Sequence, residues 1–258
     1  MDWMRFAPAA WMMAALALAG PATAQTGDWR SAAPVLPLQG AIRPITAPVA
    51  IGGAGWGPWR SICREQTTRP GRPPERNCLT VAEIRPEAGG TRLILVQDGT
   101  GLRISALRGT DGRMMEFAAL RPDGTAPPAD EGRDALLAAW RDKFATLSVQ
   151  SQRLGNRQIF ELPVTGSPRG MPCRVEGASA IAQRQVVVAT CALELAGPMG
   201  RAGAPMEVII AGRMAVDVAT GVVVNQSYAT RIERLSTTPE GRRSSVGVVV
   251  TPSRVFLE

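Results

Sequence analysis

The amino-acid sequence predicts a mainly β protein: a large curved antiparallel sheet or half-barrel with one amphipathic helix at about residues 130–148. Three observations predict it. Asp-Gly pairs recur at Asp98-Gly99, Asp111-Gly112 and Asp123-Gly124, between short apolar runs. Aspartate followed by glycine tolerates the positive φ angles of tight hairpin turns, so this spacing marks an antiparallel meander. Farther along, Met206, Val208, Ile210, Met214, Val216 and Val218 hold alternate positions, with Glu207, Arg213 and Asp217 on the other face. Alternation over that length, against a usual strand of about 5 or 6 residues, implies strands that twist and curl. The one sustained helical stripe is Leu136, Leu137, Trp140, Phe144 and Leu147, the pattern of a helix packed on a sheet.

The elements follow in chain order. Residues 1–24 have the layout of a cleavable export signal: Arg5, an apolar run at residues 9–19, Gly20-Pro21, and Ala22-Thr23-Ala24 as a cleavage site. The run is shorter than the roughly 20 residues that span a bilayer. The mature chain is therefore expected to begin at Gln25 and to be soluble in the periplasm or secreted. Residues 25–55, with Pro34, Pro37, Pro44 and Pro48, read as a flexible Pro/Ala-rich arm. Trp29 and the runs Val35-Leu36 and Val49-Ala50-Ile51 could still dock on the domain. Residues 56–258 are expected to form a single β-rich domain with a real core.

Within that domain, strands are predicted at 79–84, 93–96, 102–106 and Met114–Leu120. Pro127-Pro128, then Ala129-Asp130-Glu131, open the helix, because acids suit a helix N-terminus. A strand within 181–195 carries Cys191, and Cys173 follows a proline-marked loop at 163–172. The long strand at 206–218 turns at Ala219-Thr220-Gly221 into a second, where Val222, Val224, Tyr228 and Ile232 alternate with Asn225, Ser227, Arg231 and Glu233. Val246, Val248 and Val250 mark the last strand.

The four cysteines are even in number, and export makes disulfides the expectation. Three connectivities exist, and proximity favours Cys63 with Cys78 and Cys173 with Cys191. Closing a loop of that size contributes roughly 3 kcal/mol in the chain-entropy model. Between the first two cysteines, Arg64, Arg69, Arg72 and Arg76 outnumber Glu65 and Glu75, and Pro70, Pro73 and Pro74 keep the segment extended. Its guanidinium groups are expected in solvent, making the loop either a polar staple or an anion-binding surface.

Composition narrows the chemistry. The chain has 29 Lys+Arg, all arginine except Lys143, against 22 Asp+Glu, with a net charge of +7. In an exported protein that surplus suits anionic envelope material, or merely solubility, and no nucleic-acid partner is expected. The absence of histidine excludes Ser-His-Asp and Cys-His catalysis and the commonest catalytic zinc sites. Gly177-Ala178-Ser179-Ala180-Ile181 lacks the closing glycine of a nucleophile elbow, and Lys143 lacks a serine three residues before it. No phosphate-binding glycine loop occurs, and no cofactor or metal is expected. Asp130, Glu131, Asp134, Glu207, Asp217 and Glu233 leave a two-carboxylate hydrolase open.

The pattern Trp59-x3-Cys63, a polar loop, Cys78-Leu79, Gly89-Gly90 and apolar strands resembles, over about residues 56–106, exported proteins of the invasion-associated locus B type. That resemblance implies a small β-rich periplasmic protein. A long curved sheet with one helix is also similar in architecture to lipoprotein-carrier half-barrels, which enclose acyl chains. On that likeness Met206, Val208, Ile210 and Met214, with Val222, Val224 and Tyr228, would line an apolar concavity, unless the helix around Trp140 fills it as ordinary core. The expectation is an exported, non-enzymatic β protein binding an apolar ligand in that concavity or an envelope partner at its rim, in an oligomeric state the sequence does not reveal. The hydrolase and a purely structural envelope module are the alternatives.

Overall fold

The structure is a computed structural model that describes residues 28–53, 55–67, 72–164, 170–199, 204–237 and 243–258. The export-signal reading of residues 1–24 lies outside the described residues.

Two meanders build the sheet. In the first, β2 (Ser61–Gln66), β3 (Glu75–Glu87), β4 (Gly90–Gln97), β5 (Arg103–Gly109) and β6 (Met114–Leu120) pair in sequence order. Gly99 and Gly112, at φ +80° and +88°, turn β4 into β5 and β5 into β6, the left-handed geometry that selects glycine. Asp123-Gly124 instead leads from β6 into the loop before the helix. The second meander is β8 (Ile159–Leu162), β9 (Met171–Ile181), β10 (Arg184–Met199), β11 (Ala204–Asp217), β12 (Val223–Thr237) and β13 (Arg243–Leu257). β2 then pairs with β13, Ile62 opposite Leu257 and Gln66 opposite Ser253. That one ladder joins the meanders into an eleven-stranded antiparallel sheet, open rather than closed into a barrel, with β6 and β8 at its edges. Its long strands are interrupted by register shifts at Val188/Ala189, Ala215/Val216 and Arg234/Leu235, and such bulges bend a strand and increase its twist.

The helix α1 (Glu131–Ala145) starts at Asp130, whose carboxylate accepts from the Arg133 N–H at 2.8 Å, a side-chain cap for an otherwise orphan donor. Trp140 and Phe144 point into the sheet's core, with Leu147 just past the helix end. The Phe144 ring stacks on Trp56 with centroids 5.6 Å apart and meets Phe117 at 5.5 Å. Gln226 of β12 donates to the Thr146 carbonyl and so fixes the helix C-terminus.

Residues 28–53 are not a loose arm. Leu36, Ile45 and Ile51 are buried, Arg43 forms a β-bridge with Ala178, and the Gln39 N–H donates to the Ala180 carbonyl at 2.8 Å. β1 (Val49–Ile51) pairs with β7 (Gln152–Leu154) as a separate two-stranded sheet. A 3-10 turn, Trp29–Ala32, lies against β12 and β13. The prolines exclude long ladders, yet they leave apolar side chains and scattered backbone groups free to dock.

Two cores result. The first gathers Ile62, Leu79, Leu93, Leu95 and Ile104 with Trp56, Trp59, Trp140 and Phe144. The second gathers Phe160, Leu162, Val175, Met214 and Val216 beneath Ile51 and Leu154 of the small sheet. β10 separates them: Val186 and Val188 belong to the first, Val187 and Ala189 to the second. Successive side chains on a strand point to opposite faces, so one strand serves both.

Candidate functional site

Both disulfides form, and each joins residues directly opposite on neighbouring strands. Cys63 bonds Cys78 across β2 and β3, and Cys173 bonds Cys191 across β9 and β10. Cys173 is the third residue of β9, so Met171 and Pro172, expected in the loop before it, belong to the strand, where Met171, Cys173 and Val175 alternate inward against exposed Pro172 and Arg174.

The arginines around the first bridge do not converge. Arg76 lies over the disulfide, with Nε 3.3 Å from Cys78 Sγ and Nη2 3.3 Å from Cys63 Sγ, and pairs with Glu258 at 2.7 Å. Its guanidinium and that of Arg254 sit 5.3 and 4.2 Å from the Phe256 ring centre. Arg64 shares the face of Ile62, is half-buried and bonds Gln66. Burial pulls its pKa below the usual arginine range, with Glu75 opposing. Arg72 is exposed, and Arg69 lies outside the described residues. The expectation of a row of solvated guanidinium groups therefore fails for Arg64, which strand alternation turns inward; Arg72 and Arg76 are exposed, and Arg76 is held by acids and the Phe256 ring.

The seven β-strand residues expected around a concavity, with Trp140, divide between packed regions. Trp140, Val222 and Val224 belong to the first core; Met214 belongs to the second, with Ile210 and Tyr228 packed on it. Met206 and Val208 are buried farther out on β11. These side chains therefore line no single concavity: Val222 and Val224 share a core with Trp140, while Met214, Ile210 and Tyr228 pack in the other. The Tyr228 ring crosses Gly212, where a Cβ would collide with it. Its hydroxyl is buried without a partner, and burial pushes its pKa up.

Of the acids considered for hydrolysis, only Glu207 and Glu233 stand directly opposite each other, and Arg231 pairs with both. Asp217, expected on an open face, has only 1% of its side chain exposed. It binds Arg184 and accepts from the Ala219 N–H at 2.9 Å. Asp130 caps the helix, and Asp134 pairs with Arg133 at 3.2 Å. Among the described residues no group of three or more acids or cysteines is placed to hold a metal. No described helix is long and apolar enough to cross a membrane.

Sequence reasoning missed two cations. Arg108 is fully buried: its guanidinium donates to Ser148 Oγ at 3.0 Å, to the carbonyls of Gly53 (2.9 Å) and Gly55 (3.2 Å), and to the Thr220 carbonyl. Burial lowers its pKa to about 10. Its signal was present, since Ile104, Ala106 and Arg108 share one period-two face. Lys143 is half-buried, and burial, reinforced by the charge of Arg64 and opposed by Asp142, lowers its pKa to about 8.

Open concave surface is found on the first meander. One cleft of about 390 Å³ lies over β3 to β6, where Glu83 pairs with Arg85 at 3.5 Å and Arg92 joins Glu87 to Glu116. Burial works against the Arg92 charge, yet its bonds to Glu87 and Glu116 dominate and hold its pKa above the usual range. A second, of about 440 Å³, adjoins it between β5, β6 and the first turn of α1. Arg103, Leu120, Arg121 and Pro122 border both. The second cleft adds Arg133, Leu102 and Leu136, and no acid lines it. No protein-family model, curated protein or solved structure matches this chain.

Proposed function

We propose that this chain is an exported, non-enzymatic β protein that binds an anionic component of the cell envelope at its surface. The observation that carries the reading is the acid-free cleft with Arg103, Arg121 and Arg133 in its wall, beside the core that holds Trp140 and Phe144. Two cross-strand disulfides support an oxidising compartment. The layout of residues 1–24 and the likeness to periplasmic locus B type proteins support export. The net charge of +7 draws the protein towards anionic surfaces. The apolar-carrier reading loses its support, because the side chains that would line the cavity are divided between two cores and share no concavity.

Co-sedimentation with lipid vesicles tests this. The protein should be retained on phosphatidylglycerol vesicles at low salt, released as salt rises, and not retained on phosphatidylcholine vesicles, since surface charges are screened within a Debye length. Equal retention on both, or on neither, removes the proposal.

A further inference from the structure

The geometry points to a specific ligand class for the second cleft: a phosphate-headed amphiphile, its phosphate among Arg103, Arg121 and Arg133 and the start of its hydrocarbon part on Leu102 and Leu136. This rests on the surface-binding reading above and narrows it to one site. Three features argue for it. First, two of the three charges are unmatched. In the adjoining cleft Arg85 and Arg92 have acid partners, whereas neither Arg103 nor Arg121 has an ion-pair or side-chain hydrogen-bond partner among the described residues. Second, the Nε–H groups of Arg103 and Arg133 are withdrawn from solvent and make no hydrogen bond. Buried donors in native proteins are normally satisfied, so these two arginines keep unused donor capacity beside the cleft. Asp134 takes only Nη2 of Arg133, at 3.2 Å, and Asp130 takes the backbone N–H, so the Arg133 Nε–H is left over. Third, the wall is mixed. Leu102 and Leu136 are partly buried and pack on the first core behind the cleft, which provides apolar surface beside the guanidinium groups.

The number of forks selects the head group. One carboxylate is matched by a single bidentate arginine, whereas a phosphodiester, with the same single negative charge, spreads its oxygens tetrahedrally, so that arginines on more than one side of it can bond it. The openness of the cleft to solvent places the remainder of the chains, or the bilayer, outside the protein.

Binding is measured by calorimetry on the full mature chain with two probes: dihexanoyl phosphatidylglycerol below its micelle concentration, and inorganic phosphate. The lipid should bind, and phosphate should bind at least tenfold more weakly because it lacks the part resting on Leu102 and Leu136. Arg103→Gln with Arg121→Gln should weaken lipid binding by about tenfold or more, the scale of lost charge-assisted hydrogen bonds. Arg213→Gln, which removes one charge from an exposed Glu176-paired arginine of β11, should change it less than twofold. Arg103→Lys, which keeps the charge and loses the fork, should fall between wild type and the double variant. Equal affinity for lipid and phosphate overturns the amphiphile. An unchanged affinity in the Arg103/Arg121 variant, or an equal loss in the Arg213 variant, overturns the site. If wild type still binds phosphatidylglycerol vesicles in either case, the cleft assignment falls and the surface reading stands. If wild type does not bind vesicles, both fall.

Discussion

The two cores share strands and differ in how they are closed. The first is aromatic: Trp56, Phe117, Trp140 and Phe144 meet under a helix, and large flat rings fill the space between the helix and β2 to β5. The second is almost entirely aliphatic, closed by the small β1 and β7 sheet, and it holds the Cys173–Cys191 bridge inside it. The Cys63–Cys78 bridge instead lies apart with Phe256, beneath Arg76. Beyond the shared strands, Arg108 also ties the two regions, reaching from β5 to the β11–β12 turn at Thr220 and to the chain at Gly53 and Gly55.

Breaking that joint should have the largest effect. Arg108→Met removes the donors of three carbonyl oxygens and one hydroxyl, and unfolding in urea should show a loss of about 3–5 kcal/mol, the scale for a buried charged network left half-made. A loss under about 1 kcal/mol would mean the regions stand independently.

The disulfides sharpen the contrast next. Replacing Cys63 and Cys78, or Cys173 and Cys191, by alanine pairs should cost about 3 kcal/mol each, because the sequence separations are 15 and 18 and chain entropy scarcely distinguishes them. If the second pair costs at least about 1 kcal/mol more than the first, packing inside the second core, and not loop closure, sets the difference.

The smallest effect belongs to the first region alone. Lys143 has a folded pKa of about 8, below the unfolded value of roughly 10.4. The unfolded chain therefore binds the proton more tightly, so stability is lower below pH 8 and rises as pH climbs from there towards the unfolded value. Discounted for solvent screening, the rise is on the order of 1–2 kcal/mol. Urea midpoints from pH 7 to 9.5 should show it in wild type and not in Lys143→Met. A flat wild-type profile would show that Lys143 is solvated.

Much of this fold was legible because its signals are local. Met114–Leu120 is a strand, the Asp98-Gly99 and Asp111-Gly112 turns stand where expected, and the stripe at Trp140 and Phe144 faces a core. The site was less legible. Arg64 and Arg76 were grouped by nearness in sequence, but adjacent strands and alternation sent them to different surroundings. Met214 and Trp140 were grouped by polarity, though different cores hold them. Arg103, Arg121 and Arg133 are brought together by β5, β6 and α1, with no periodicity linking them.

By itself the amino-acid order determined the long alternating strands, the helix and the hairpin turns, and favoured the disulfide partners by proximity, because alternation, capping and short loop closure act over a few residues at a time. Tertiary structure alone decided that β2 lies beside β13, that β10 faces two cores, that residues 28–53 dock, and that a buried arginine spans the halves. Those outcomes depend on which faces come together across more than a hundred residues, a competition settled by total apolar burial and hydrogen-bond satisfaction and recorded in no single segment.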